Sequence, residues 1–204
     1  RSAGCIINDI VDKNFDKKVK RTKNRPIASG KISVVHGLIY ANILCLVALI
    51  VLLQFNKLTI LLALISMPLA FTYPLMKRIT YWPQLFLGVT FNYGLILAWT
   101  SINNEISILP ILFYMGAIFW TLGYDTVYGF QDIKDDEIIG VKSTSIKFKK
   151  NPKIFLTFCY LLTFITIFTL GIIMEFNLFY YIGLILIGYL FFNQIIIFNK
   201  NNAK

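Results

Sequence analysis

Apolar positions in this chain come in runs of about 20 residues broken by short polar connections, the length an α-helix needs to cross a hydrocarbon core of roughly 30 Å. Six runs stand out, at 34–53, 58–76, 85–100, 108–124, 154–173 and 176–198. They predict an all-α integral membrane protein, a multi-helix transmembrane bundle. Pro68, Pro74 and Pro83 lie in or beside the runs and predict kinks or ends, which neighbouring helices of a bundle tolerate. The opening "RSAGCIIN" has neither an initiating Met nor the charged segment and cleavage site of a signal peptide. It reads as the last part of a helix that begins earlier.

Composition agrees with the pattern, since 57% hydrophobic, 16% aromatic and 15% charged residues in a chain of 204 do not describe a water-soluble domain. A net charge of +10 raises nucleic acid as a partner, but the placement of the charges excludes it in favour of a lipid bilayer. Lys13, Lys17, Lys18, Lys20, Arg21, Lys23, Arg25 and Lys31 precede the first complete run, and Lys77 and Arg78 come two runs later. Two runs further on are Lys134, Lys142, Lys147, Lys149, Lys150 and Lys153, and after another two Lys200 and Lys204. These alternate connections hold 18 of the 20 basic residues, and the ones between them only Lys57. The positive-inside bias makes that face cytoplasmic, or matrix-facing in a mitochondrion.

Acids are more uneven still. Of ten, Asp9, Asp12 and Asp16 lie in the opening segment and Asp125, Asp132, Asp135, Asp136 and Glu137 in "YDTVYGFQDIKDDE", on the same face; only Glu105 and Glu175 lie elsewhere. Acids contribute little to topology, so two acidic clusters at one membrane surface need another reason. On a helix Asp12 falls about 60° and Asp16 about 20° behind Asp9, with Asn8 at the border of that face. Asp125, Asp132 and Asp136 fall within about 40° of one another if the helix runs on past Gly129.

Grouped carboxylates with a side-chain amide are hard oxygen ligands suited to Mg²⁺, and two such groups facing each other could hold a diphosphate between bridging ions. Arg21, Arg25, Lys77, Arg78 and Lys142 belong to the same face and are placed to contact phosphate oxygens. Lys147, Lys149, Lys150 and Lys153 read as topology signals that touch lipid headgroups. A metal-bound diphosphate with an apolar bundle behind it suits an isoprenoid diphosphate, whose departing group Mg²⁺ and cations would stabilise. Tyr73, Tyr124 and Tyr128 are candidates to face the allylic cation, or equally members of an interfacial aromatic belt. A cation or lipid transporter would place acids near mid-membrane, whereas these stand at helix ends. Cys5, Cys45 and Cys159 are far apart and read as buried thiols, and His36, the only histidine, as structural.

Three segments together resemble the UbiA prenyltransferase superfamily. "NDIVDKNFDKKVKRTKNRPIASG" is similar to its N-D-x-x-D-x-x-x-D signature followed by R-T-x-N-R-P-x-x-S-G, and "YPLMKRITYWPQLFLG" to its Y-P-x-x-K-R loop. "YDTVYGFQDIKDDEIIGVKST" is similar to Y-D-x-x-Y-x-x-x-D-x-x-D-D-x-x-x-G-x-K-S-T, most like the branch that prenylates 4-hydroxybenzoate. The resemblance implies a single transmembrane prenyltransferase domain over residues 1–204 in which six full helices and the end of another stand for the family's nine. The N-terminal and C-terminal helices would then be lacking, which bears on activity. It implies transfer of a polyprenyl group from polyprenyl diphosphate to the carbon ortho to the hydroxyl of 4-hydroxybenzoate, in ubiquinone synthesis at a bacterial or mitochondrial inner membrane. Another acceptor, haem or a naphthoate, and an inactive remnant are the alternatives. Carried over by position, Asn8, Asp12 and Asp16 would bind the metal and diphosphate from one side and Asp132 and Asp136 from the other. Asp9 and Asp125 also match motif positions. Lys77 would contact diphosphate, Tyr73 would lie beside it or the allylic cation, Arg78 would orient the acceptor carboxylate, and Arg21 and Arg25 match basic positions.

Overall fold

The computed structural model describes residues 2–19 and 21–199; Lys20, Lys200 and Lys204, counted above among the basic connections, lie outside them. The described residues are helical with no strand. In chain order they form α1 (Ser2–Asp16), α2 (Val34–Leu52), α3 (Lys57–Thr72), a 3₁₀ turn (Tyr73–Leu75), α4 (Met76–Ile79), α5 (Pro83–Asn92) and α6 (Gly94–Asn103). Next come α7 (Ile108–Gly129), α8 (Ile133–Ile139), α9 (Thr144–Lys147), α10 (Pro152–Ile173) and α11 (Leu178–Ile197). Six helical stretches are long and apolar enough to cross a membrane: Val34–Leu52, Lys57–Ile79, Pro83–Asn103, Ile108–Gly129, Pro152–Ile173 and Leu178–Ile197. They are the six apolar runs of the sequence, and large apolar side chains such as Val35, Ile50, Phe179 and Ile185 stand on their outer faces where lipid would meet them.

Polar residues set where these helices start. Ser33 Oγ accepts the backbone N–H of His36 and lies 2.7 Å from His36 Nδ1, which gives the lone histidine its structural role at the head of α2. Asn56 caps α3 through Oδ1 and donates from Nδ2 to Thr100 O at 2.7 Å, tying the start of α3 to the end of α6. Pro74 and Pro83 stand in the first turns of the 3₁₀ segment and of α5, as expected of chain ends, whereas Pro68 stays inside α3.

The third span, expected as one helix, is broken at Tyr93. The Tyr114 hydroxyl donates to Val89 O at 2.6 Å, the carbonyl that an unbroken helix would offer to residue 93. Asn92 Nδ2 donates to Gly88 O, Ala117 O and Thr121 Oγ1. Side chains thus satisfy backbone groups that lipid could not. The bundle is tightest between α7 and α10, around buried Leu122, Leu156, Cys159 and Tyr160. Cys159 is buried as expected of a thiol packing as a small hydrophobe, but Cys5 is exposed and Cys45 only partly covered, because α1 and α2 bury few of their side chains.

Candidate functional site

At one end of the bundle three connections of the chain contribute to one cavity of about 250 Å³. The first wall is α1. Its acidic face is turned inward, leaving Asp12 2% and Asp16 6% exposed. A buried carboxylate needs partners, and the segment after α1 supplies them by folding back. Ile27 and Ala28 bury themselves, and Thr22 Oγ1 donates to Asp16 O at 3.1 Å. Arg25 Nη1 then bridges Asp9 Oδ1 and Asp16 Oδ2, each at 3.0 Å. This is the physical content of R-T-x-N-R-P-x-x-S-G: its apolar residues anchor the return, and its second arginine neutralises the helix it returns to.

The second wall is the turn after α3. Lys77 Nζ pairs with Asp12 Oδ2, while Arg78 donates to Val11 O at 2.9 Å and lies 3.7 Å from Asp12 Oδ1. The third is formed by the end of α7 and by α8. Asp125, Asp132 and Asp136 do not share one helix: α7 ends at Gly129, Asp132 sits at the entry of α8, and Asp136 stands within it. Arg21 reaches Asp132 from the first segment, with Nε 3.1 Å from Oδ1 and 2.9 Å from Oδ2, and Nη2 2.6 Å from Oδ2. Its guanidinium stands 5.5 Å from the centre of the Tyr128 ring. That fork joins the two acidic segments directly.

The motif's G-x-K-S-T end packs this wall. Gly140 takes φ +79°, the left-handed region, to end α8. The backbone N–H of Lys142 donates to Lys77 O at 2.8 Å, and Lys142 Nζ to Ile79 O at 3.0 Å, so two separate connections are fastened together. The Thr144 and Thr126 hydroxyls lie 2.6 Å apart, and Ser145 Oγ donates to Thr126 O at 2.7 Å. A Cβ at Gly129 would collide with that Ser145 hydroxyl, so glycine is needed for α9 to approach α7.

Of the residues expected from sequence, Asn8, Asp12, Asp16, Arg21, Arg25, Tyr73, Lys77, Asp125, Tyr128, Asp132, Asp136 and Lys142 all line the cavity. Asp9 and Arg78 do not: Asp9 is taken up by Arg25, and Arg78 is turned to α1, with its guanidinium 4.9 Å from the Phe15 ring centre. Gln84 also lines the cavity and escaped the sequence reading, though a lone amide after Pro83 at the head of an apolar run was its visible signal. Burial, opposed by Arg25, raises the Asp9 carboxyl above its ordinary value. Burial and then the charge of Asp132 push Asp136 up to about 6. The hydrogen bonds to Asp132 hold the Arg21 guanidinium higher than usual.

Among the described residues no three carboxylates converge tightly enough to hold a metal unaided, and Asp12, Asp16 and Asp132 are each paired with a cation. The donor set still fits Mg²⁺, which takes a few carboxylates and fills its shell with water and phosphate oxygens. Asp12 Oδ1 is buried with no hydrogen-bond partner, an anionic oxygen left available to a cation. A second cavity, of about 620 Å³, lies between the faces of α5, α6, α7, α10 and α11 and is apolar apart from Asn92 and Thr163. Phe91 continues the face of Leu87 along α5, and Trp120, Ala117 and Phe113 that of Tyr128 along α7, so residues of these two helix faces run from the polar cavity to the apolar one.

A model of the UbiA prenyltransferase family matches residues 1–204. The chain is 44% identical over 185 residues to 4-hydroxybenzoate geranyltransferase 1 of Lithospermum erythrorhizon, covering 89% of this chain and 60% of that protein. It is 48% identical over 156 residues to the mitochondrial 4-hydroxybenzoate polyprenyltransferase of Rattus norvegicus, covering 75% of this chain and 41% of that one. The chain spans about half the length of the curated relatives it matches. Its fold matches the apo structure of a UbiA homolog from Aeropyrum pernix K1 with a TM-score of 0.83 at 20% identity, over 96% of this chain and 74% of that one. A UbiA homolog from Archaeoglobus fulgidus bound to GPP and Mg²⁺ matches with a TM-score of 0.69 at 21% identity, over 96% and 70%.

Proposed function

Since the chain belongs to the UbiA prenyltransferase family, we propose that the protein transfers a polyprenyl group from polyprenyl diphosphate to the ring carbon ortho to the hydroxyl of 4-hydroxybenzoate, with Mg²⁺, in ubiquinone biosynthesis. The observation that carries this reading is the convergence of two acidic segments, more than a hundred residues apart, on one cavity where Arg21 of the first grips Asp132 of the second. Relatives named for prenyl transfer to 4-hydroxybenzoate support the acceptor, and the homolog bound to GPP and Mg²⁺ supports the diphosphate and the metal. Mitochondrial relatives favour an inner membrane, with the basic end of the bundle facing the matrix or cytoplasm.

In this mechanism Mg²⁺ supplies Lewis-acid neutralisation of the departing diphosphate. Asn8, Asp12 and Asp16 would hold the metal-bound diphosphate from the α1 side, with Asp9 behind them, and Asp125, Asp132 and Asp136 from the α7 and α8 side. Lys77, Arg21 and Arg25 exchange their resting carboxylates for phosphate oxygens, and Lys142 closes the wall behind Lys77. As the bond to the prenyl carbon lengthens, positive charge grows at that carbon. The rings of Tyr73 and Tyr128, both in the cavity wall, face it. The apolar cavity receives the isoprenoid tail, and Arg78 lies outside the wall, so its part is to set Asp12 and α1 in place.

Full-length protein in membranes, given 4-hydroxybenzoate, a polyprenyl diphosphate and Mg²⁺, is expected to release prenylated 4-hydroxybenzoate, and Asp12→Asn or Asp132→Asn to abolish it. Absence of that product, or full activity in either variant, sinks the reading. Supplying a dihydroxynaphthoate or haem in parallel separates the other acceptors.

A further inference from the structure

Gln84 is a polar residue of the cavity that the chemistry above leaves unused. It is the second residue of α5, 6% exposed, and part of the cavity wall. The backbone N–H of Thr144 donates to its Oε1 at 2.9 Å. A backbone N–H has only a proton to give, so the oxygen end of the amide is fixed and the NH₂ end is assigned by exclusion. That end lies beside Gly129, where Nε2 would stand 3.5 Å from a Cβ, and Gly129 also lines the cavity. Packing therefore presents a neutral donor in the cavity wall, on the same short helix as Pro83 and Leu87. A donor held in a cavity wall gains from meeting an acceptor there.

The cationic groups of the cavity have other employment. Arg21, Arg25 and Lys77 are ion-paired with aspartates, Lys142 Nζ is on Ile79 O, and Arg78 donates to Val11 O outside the wall. Those pairs suit a multiply charged diphosphate. An uncharged amide in the cavity wall suits a single oxygen group carried on a ring, with less pull on Mg²⁺ or diphosphate than a charged side chain would have. We propose that Gln84 Nε2 donates a hydrogen bond to the carboxylate of the aromatic acceptor, making Gln84 a specificity-determining residue; this rests on the prenyl-transfer reading above. A site built around such a donor rejects analogues lacking the acceptor group far more strongly than an apolar pocket can.

The test compares 4-hydroxybenzoate with phenol as acceptors for the full-length enzyme in membranes, at saturating prenyl diphosphate and Mg²⁺. Gln84→Met removes the donor at similar length. Gln84→Glu keeps an oxygen for the Thr144 N–H and places a negative charge opposite the carboxylate. KM for 4-hydroxybenzoate is expected to rise about 10- to 100-fold in Gln84→Met, the worth of a hydrogen bond to a charged group, and further in Gln84→Glu. KM for prenyl diphosphate should stay within about twofold, and the preference for 4-hydroxybenzoate over phenol should shrink by the same factor as the KM rise. A rise in the KM for prenyl diphosphate instead overturns the proposal, as does a fall in kcat with both KM values unchanged. Loss of folded protein in both variants also overturns it, by reducing Gln84 to a prop for α9. If the unsubstituted enzyme prenylates no 4-hydroxybenzoate, the functional reading itself has failed, and that outcome is seen before any substitution.

Discussion

Replacing Lys77 with Met isolates the value of its ion pair with Asp12. Asp12 is 2% exposed, one of its oxygens makes no hydrogen bond, and the other is held by Lys77 alone. Removing one partner of a buried pair typically costs about 3–5 kcal/mol, since a charge is left buried without compensation. Here Lys77 is 28% exposed on the cavity side and Arg78 remains 3.7 Å from the other oxygen, so the expected loss is nearer ~2 kcal/mol. For a chain of roughly 150–250 residues that is a fall in melting temperature of about 4–8 °C, and a smaller one in a longer chain. The measurement is thermal unfolding of the full-length protein in detergent without Mg²⁺. Adding Asp12→Asn to Lys77→Met removes the stranded charge and should recover most of the loss. A single variant as stable as the parent, or a double variant no better than the single, would refute the idea that Lys77 neutralises a buried carboxylate.

The same geometry makes two further outcomes measurable. Asp136, raised to about 6, carries a proton more readily folded than unfolded. Without metal its contribution to stability is therefore present at low pH and lost as pH rises from about 4 through about 6, a dependence that Asp136→Asn should flatten in melts taken across that range. Metal needs the ionised form, so the Mg²⁺ concentration giving half-maximal binding of prenyl diphosphate should rise as pH falls below about 6, measured by titration calorimetry. Gly129→Ala drives a methyl group into the Ser145 hydroxyl, and overpacking of this kind costs about 1–3 kcal/mol. It should displace α9 and depress activity, and the added change Ser145→Ala should restore part of it in the prenyl-transfer assay.

The spans were legible because lipid imposes an apolar surface on every turn of a crossing helix, so pattern alone placed all six to within a few residues. The clustering of acids at one end was legible from loop parity, and the cavity confirms that these loops share an end. What sequence did not reveal were events decided by a partner elsewhere in the chain. The break at Tyr93 depends on Tyr114 taking over the Val89 carbonyl, and no local signal announces it. Helix α7 stops at Gly129, the residue against which Ser145 packs, and so Asp125, Asp132 and Asp136 meet through a turn rather than along one helix. The grip of Arg21 on Asp132 spans 111 positions. Arg78 differs from Lys77 by one place, yet the short α4 turns it away from the cavity its neighbour enters.

The cavity wall carries five aspartates and four basic side chains, and the closest of them are matched one to one. The site is thus close to neutral, with arginines and lysine standing where, on the proposed reading, metal cations would sit. On the proposed reading, arrival of a metal-bound diphosphate would be an exchange of counter-ions: the ion would take the carboxylates, the phosphate the released guanidinium and ammonium groups, and little net charge would enter or leave. A bare acidic funnel would draw metal strongly from dilute salt and lose it in concentrated salt. This one trades like for like, so its occupancy should vary little with ionic strength, which leaves the choice of ligand to its having both signs of charge at once.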